Sequence, residues 1–180
     1  MNFHSMFVHF PIALLVTYSM LELVSIKFIT RYPNWFFIKA SFVIIGVLSA
    51  FPTLMTGDML EELSESKRIY DHNLVELHSS FAGATTIFYG AIALIYLIAL
   101  IANEEKVRNY ITGLKFMPSG WSNIFERTCQ GCQIMVKHKF LILLAFIGLI
   151  LVTITGGLGG ILSSGYGVDP FADFIYNLFF

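Results

Sequence analysis

The stretch FLILLAFIGLILVTITGGLGGIL, residues 140–162, contains no charged side chain and is dominated by Leu, Ile and Gly. An α-helix needs about 20 mostly apolar residues to cross the hydrocarbon core of a bilayer, so this stretch predicts a membrane-spanning helix. Of the 180 residues of the chain, 56% are hydrophobic and only 13% are charged, whereas roughly a quarter are charged in ordinary soluble domains. The composition therefore indicates an integral membrane protein.

Three more intervals have the same character, at about residues 7–26, 40–56 and 78–102. None of them alternates polar and apolar residues at period two, as the strands of a membrane barrel do. We predict an all-α fold, a single-domain four-helix membrane bundle over residues 1–180. The first span lacks a basic start and a small-residue cleavage site, so we expect it to be retained as a helix.

Two segments outside the spans also carry apolar side chains at helical spacing. In the loop 103–139, the segment 121–136 predicts an amphipathic helix that lies at the membrane surface. In the C-terminal tail 165–180, an apolar stripe suits the membrane interface or a partner subunit. The stripe consists of Phe171, Phe174, Ile175, Leu178 and Phe179.

The basic residues predict the orientation of the bundle. Nine of the eleven fall in the two intervals on one side, namely Lys27, Arg31, Lys39, Lys106, Arg108, Lys115, Arg127, Lys137 and Lys139. Lys and Arg are enriched in loops on the cytoplasmic side, so both chain termini and the acidic loop 58–76 are expected on the outer side. In a bacterium this describes a multi-pass inner-membrane protein with periplasmic termini.

This orientation gathers four of the five histidines, His4, His9, His72 and His78, at the outer side and leaves His138 at the inner side. Imidazole is a common ligand of haem iron and of other metals. The outer histidines therefore predict a binding site, whereas His138 between two lysines is typical of a solvated cation near the headgroups.

His9 and His78 stand near the start of the first and third spans, so they are expected to face each other at equal depth. We predict that they are the axial ligands of a haem b. His4 and His72 are secondary candidates that lie further out, where they bind a propionate or a second metal or are solvated.

The face of the third span beneath His78 carries the small residues Ala82, Thr85 and Thr86. These side chains form a pocket wall if a flat macrocycle lies against the helix. Small residues also allow membrane helices to approach closely, so a tight helix contact is the alternative. The two interpretations predict different structures, a cavity or a packed interface.

Two other candidates have simpler explanations. Cys129 and Cys132 form a Cys-x-x-Cys pair, but the orientation places them in the reducing cytoplasm and no second cysteine pair supports a zinc site, so partly buried residues are expected. Glu22 is the carboxylate within a span, close enough to the inner interface to reach headgroups or Lys27. We identify no catalytic constellation and no basic patch for nucleic acid.

Several short motifs resemble a known bacterial family, the domain of unknown function 2231. They are HFPIAL at residues 9–14, Thr56-Gly57, His78, GGLGG at 156–160 and YGV at 166–168. The resemblance implies a four-helix membrane protein, and some family members are joined to c-type cytochrome domains, which implies redox partners.

Two functions remain open from the sequence. The first is a membrane b-type cytochrome-like electron-transfer protein, with quinol, a periplasmic cytochrome or another redox subunit as partner. The second is a cofactor-free membrane anchor or assembly subunit of a larger complex. Either fits an accessory subunit in contact with lipid better than a stand-alone enzyme.

Overall fold

The computed structural model describes residues 3–24, 34–67, 71–113 and 120–180. These residues form helices and no strand, which confirms the all-α fold. The helices are α1 (Phe3–Leu23), α2 (Trp35–Lys67), α3 (His72–Asn103), α4 (Glu105–Thr112), α5 (Trp121–Lys137), α6 (Phe140–Ser164) and α7 (Pro170–Tyr176).

In the described part of the chain, four helices are long and apolar enough to cross a membrane: α1, α2, α3 and α6. Helices α1 and α3 each pack against both α2 and α6, so the four close into a bundle. We call the end where α1 and α3 begin and where α2 and α6 end the histidine end. Helices α4 and α5 lie at the opposite end.

The helices on either side of the acidic segment are longer than hydropathy predicts. Asp71 caps α3 because its carboxylate accepts a hydrogen bond from the backbone amide of Asn73, at 3.0 Å, and α3 therefore begins at His72 rather than near His78. Helix α2 continues to Lys67. Much of the expected acidic loop is thus helical. The sequence prediction missed these turns because hydropathy detects only the part of a helix that lies in hydrocarbon.

The first helix also starts earlier than expected, at Phe3, with Pro11 inside it. Proline is tolerated within membrane helices because neighbouring groups satisfy the freed backbone carbonyl. This early start places both His4 and His9 on α1. The expected end of this span at Ile26 lies outside the described residues.

Helix α7 packs against the glycine-rich end of α6. A Cβ atom on Gly157 would come within 2.7 Å of Ile175, and a Cβ on Gly160 would lie 3.2 Å from Ala172. Ala172 and one member of the predicted apolar stripe, Ile175, are buried in this contact, whereas the other four members, Phe171, Phe174, Leu178 and Phe179, are exposed. The absence of side chains at these glycines lets the tail lie directly on the bundle.

A charged pair lies inside the bundle toward the opposite end. Glu22 Oε2 is 2.8 Å from Lys39 Nζ, and the hydroxyl of Tyr96 donates a hydrogen bond to the same oxygen at 2.8 Å. Glu22 and Lys39 are only 6% and 9% exposed. The expectation that Glu22 reaches the lipid headgroups is wrong, because the carboxylate is buried between helices. The alternative partner that we expected, Lys27, lies outside the described residues.

Candidate functional site

A cavity of about 520 Å³ opens among the four spanning helices at the histidine end. Side chains from all four helices line it, and ligand pockets in proteins commonly have volumes of about 300–1,000 Å³. The residues that matter for its chemistry include His4, His9, Gly57, His78, Thr155 and Gly159. Three of the four clustered histidines therefore share one cavity.

The three predicted pocket-wall residues, Ala82, Thr85 and Thr86, all line this cavity. If the small residues of α3 served only close helix packing, Gly83 and Gly90 of this helix would be expected to contact a neighbouring helix. A Cβ atom added at either position would meet no atom of another helix within 4 Å among the described residues. The small face of α3 thus lines the cavity, and at Thr85 it also makes a close contact with Thr155 of α6, so the structure has features of both interpretations.

His78 lies on α3 with its ring against α6. A Cβ atom on Gly159 would lie 3.0 Å from Cε1 of the ring, so the glycine is what allows the imidazole to occupy this place. The Nδ1 atom of His78 is buried and has no hydrogen-bond partner among the described residues. Buried polar nitrogens usually have a partner, so the lack of one makes His78 unusual among the described side chains of this end of the bundle.

His4 lies on α1 and reaches α2. Its Nδ1 is 3.1 Å from the backbone oxygen of Thr53 and 3.1 Å from Oγ1 of Thr56. Burial lowers the pKa of the His4 imidazole, against a smaller opposing effect of the Thr53 hydrogen bond. The ring is partly buried and lines the cavity rather than being fully solvated.

The other histidines are placed differently. His9 is exposed and contributes to the cavity wall, whereas His72 is exposed and does not line the cavity. His138 lies at the opposite end of the bundle, where its Nδ1 accepts a hydrogen bond from the backbone amide of Phe140 at 3.2 Å.

Several cavity residues were not among the predicted ligands and wall residues. Thr155 of α6 is one of them, and its hydroxyl lies 2.9 Å from that of the predicted wall residue Thr85 on α3. The carboxylate-bearing Asp58 of α2 is another. The run of glycines from 156 to 160 and the pair Thr56-Gly57 were visible signals in the sequence. The contacts that these glycines and Thr56 make depend on which helices are neighbours, and the sequence alone does not give that information.

Cys129 and Cys132 lie on α5, and both side chains are buried and free of disulfide bonds. Burial raises the pKa of both thiols. Within the described residues, no group of three or more His, Cys, Asp or Glu side chains converges in a way that would hold a metal ion. The predicted helical segment 121–136 lies within α5, which packs mainly against α3.

The fold and composition define a multi-pass helical membrane protein with a cavity at one end of its bundle. The chain belongs to the family described as a predicted membrane protein, DUF2231, whose profile matches residues 1–170. The resemblance seen in the short motifs is thereby confirmed over nearly the whole chain. Comparisons with curated proteins and with solved structures give no significant match.

Proposed function

We propose that this protein is a b-type cytochrome-like electron-transfer protein that binds haem b in the cavity at the histidine end. His78 of α3 would be one axial ligand, and a histidine of α1 would be the other. The sequence favours His9 for the second position, and His4 is the secondary candidate. The observation that carries the proposal is the cavity of about 520 Å³ with imidazoles from both α1 and α3 on its wall.

The chemistry of the wall supports this cofactor. Haem b supplies one-electron transfer between the ferric and ferrous states of its iron, and histidine is a common axial ligand. The small residues Ala82, Thr85 and Thr86 leave space beside His78, and the glycine at 159 lets its ring lie close to α6. Coordination of iron by an imidazole nitrogen would also give a bonding partner to a ring that is partly buried.

The position of the cavity supports a role at one face of the membrane. By the distribution of Lys and Arg, the histidine end faces outward and the protein lies in a bacterial inner membrane. Exposed carboxylates lie at or near this end, among them Asp58, Glu62, Asp71 and Glu76. This negative charge would attract a basic periplasmic cytochrome, and electrons would come from quinol or from another redox subunit.

An absorption spectrum of the purified protein tests the proposal. We expect a sharp α-band in the dithionite-reduced minus oxidised spectrum. The band should be lost in His78→Ala and retained in His138→Ala, a matched control because His138 lies at the opposite end of the bundle.

A colourless preparation from haem-sufficient cells would overturn the proposal. It would favour the alternative of a cofactor-free anchor or assembly subunit. The contact of Gly148 with Tyr89, where a Cβ would lie 2.7 Å from the ring, supports that alternative because it shows a glycine used purely for close helix packing.

A further inference from the structure

The surroundings of His4 fix which of its ring nitrogens carries the proton. Nδ1 lies 3.1 Å from the carbonyl oxygen of Thr53, and a carbonyl oxygen can only accept a hydrogen bond. The hydroxyl of Thr56, also 3.1 Å from Nδ1, directs its own proton to the backbone oxygens of Pro52 or Thr53, at 3.0 and 2.9 Å. Both neighbours therefore accept from Nδ1–H.

With the proton on Nδ1, the Nε2 atom of a neutral His4 ring carries a free lone pair. Metal-bound histidines usually donate their other ring N–H to a carbonyl or carboxylate, which orients the ring and makes it a stronger ligand. His4 already has this arrangement.

The position of the ring is also restrained by α2. A Cβ atom on Gly57 would lie 3.3 Å from Cε1 of His4, so the imidazole lies directly on the glycine. Two hydrogen-bond acceptors and a glycine surface thus hold one ring in place. A ligand held in advance loses little conformational freedom when it binds a metal.

His9 has a different setting on the same helix. It follows His4 by five positions, which is a rotation of about 140° around an α-helix with roughly 3.6 residues per turn, so the two side chains leave α1 in different directions. His9 is exposed, whereas His4 is partly buried.

His4 also lies near the proposed ligand on α3. The imidazoles of His4 and His78 line the same cavity. Each ring lies on a glycine of another helix, His4 on Gly57 and His78 on Gly159.

From this geometry we infer that His4, and not His9, is the axial ligand that α1 contributes opposite His78, with the Thr53 carbonyl and the Thr56 hydroxyl as its positioning groups. The inference rests on the proposed haem site. It assigns to the first turns of α1 a metal-binding role, and to α2 the role of orienting the ligand.

The test compares the spin state of the ferric haem in purified wild type, His4→Ala and His9→Ala by electron paramagnetic resonance. We expect the wild type and His9→Ala to be low-spin, as two imidazole ligands produce. His4→Ala should become high-spin while it keeps haem through His78. Added imidazole should restore the low-spin signal in His4→Ala, which also shows that this variant is folded.

Thr56→Val is the second variant, because it removes one acceptor from His4 but leaves the ring. It should stay low-spin and shift its midpoint potential to a more positive value, since a ligand with a weaker hydrogen bond donates less electron density to iron.

The failures of the two proposals are distinguishable. If His9→Ala is high-spin, or if His4→Ala remains low-spin, the inference about His4 is wrong while the haem site stands. If the wild type contains no haem, both the site and the inference fall.

Discussion

The imidazole of His78 on α3 lies directly on Gly159 of α6, so close that a Cβ atom at position 159 would be 3.0 Å from Cε1 of the ring. That separation is shorter than a normal carbon–carbon contact. The histidine and the glycine therefore form one unit across two helices, and neither position can gain volume without moving the other.

Gly159→Ala should destabilise the protein, because the new methyl group pushes the His78 ring out of its place. Overpacking of this kind costs about 1–3 kcal/mol. Gly83→Ala is the matched control on α3, since no described atom of another helix lies within 4 Å of a Cβ at that position, and it should be neutral or slightly stabilising because alanine favours helix by about 1 kcal/mol. Thermal unfolding in detergent measures both. Equal midpoints for the two variants would contradict this contact.

The buried pair of Glu22 and Lys39 predicts strongly non-additive effects of mutation. Glu22→Gln alone leaves the Lys39 ammonium without its counter-charge, and breaking a buried ion pair from one side costs about 3–5 kcal/mol. The double variant Glu22→Gln, Lys39→Met should recover most of that loss because no uncompensated charge remains.

A double-mutant cycle, measured by reversible unfolding in mixed detergent, gives the coupling between the two positions. Ser41→Ala on α2 serves as the control, because Ser41 is exposed and its hydroxyl donates to the backbone oxygen of Phe37 in its own helix. Simple addition of the two single effects would show that the charges do not interact.

The raised pKa values of Cys129 and Cys132 predict slow alkylation at neutral pH. Burial is the main cause, and a raised pKa means that less thiolate, the reactive form, is present at a given pH. The rate of modification should therefore rise as the pH increases above the ordinary range for a thiol.

Mass spectrometry after timed exposure to iodoacetamide measures this rate. The control places a cysteine at the exposed position Gln130 in a background of Cys129→Ser and Cys132→Ser. That thiol should react faster at pH 7. If the native pair reacts at the same rate as the control, the thiols are not protected by α5 and its neighbours.

The sequence was sufficient to predict the four spanning helices, because a helix that crosses hydrocarbon needs a long apolar segment, and such segments are directly visible in the sequence. It also predicted that Ala82, Thr85 and Thr86 share a face of α3, since helical periodicity places them there. The lengths of α2 and α3 were underestimated, because their last and first turns are polar and hydropathy does not detect such turns.

Contacts between helices were the part that the sequence could not supply. Lys27 is the near neighbour of Glu22 along the chain, yet the ion pair forms with Lys39 of the next helix. In the same way, the orientation of the His4 ring depends on a hydrogen bond to Thr53, which is 49 positions away in the chain. Such pairs follow from which helices are adjacent and how they are rotated.

The ion pair between α1 and α2 has a consequence for how the chain enters the membrane. A carboxylate or an ammonium group alone in hydrocarbon is costly, whereas Glu22 and Lys39 together are neutral and hydrogen-bonded. Insertion of α1 and α2 as one helical hairpin would spare each charge from lying in the hydrocarbon without its partner. The first two helices are thus suited to enter the membrane as a pair, and the synthesis of α2 supplies the partner of the charge on α1.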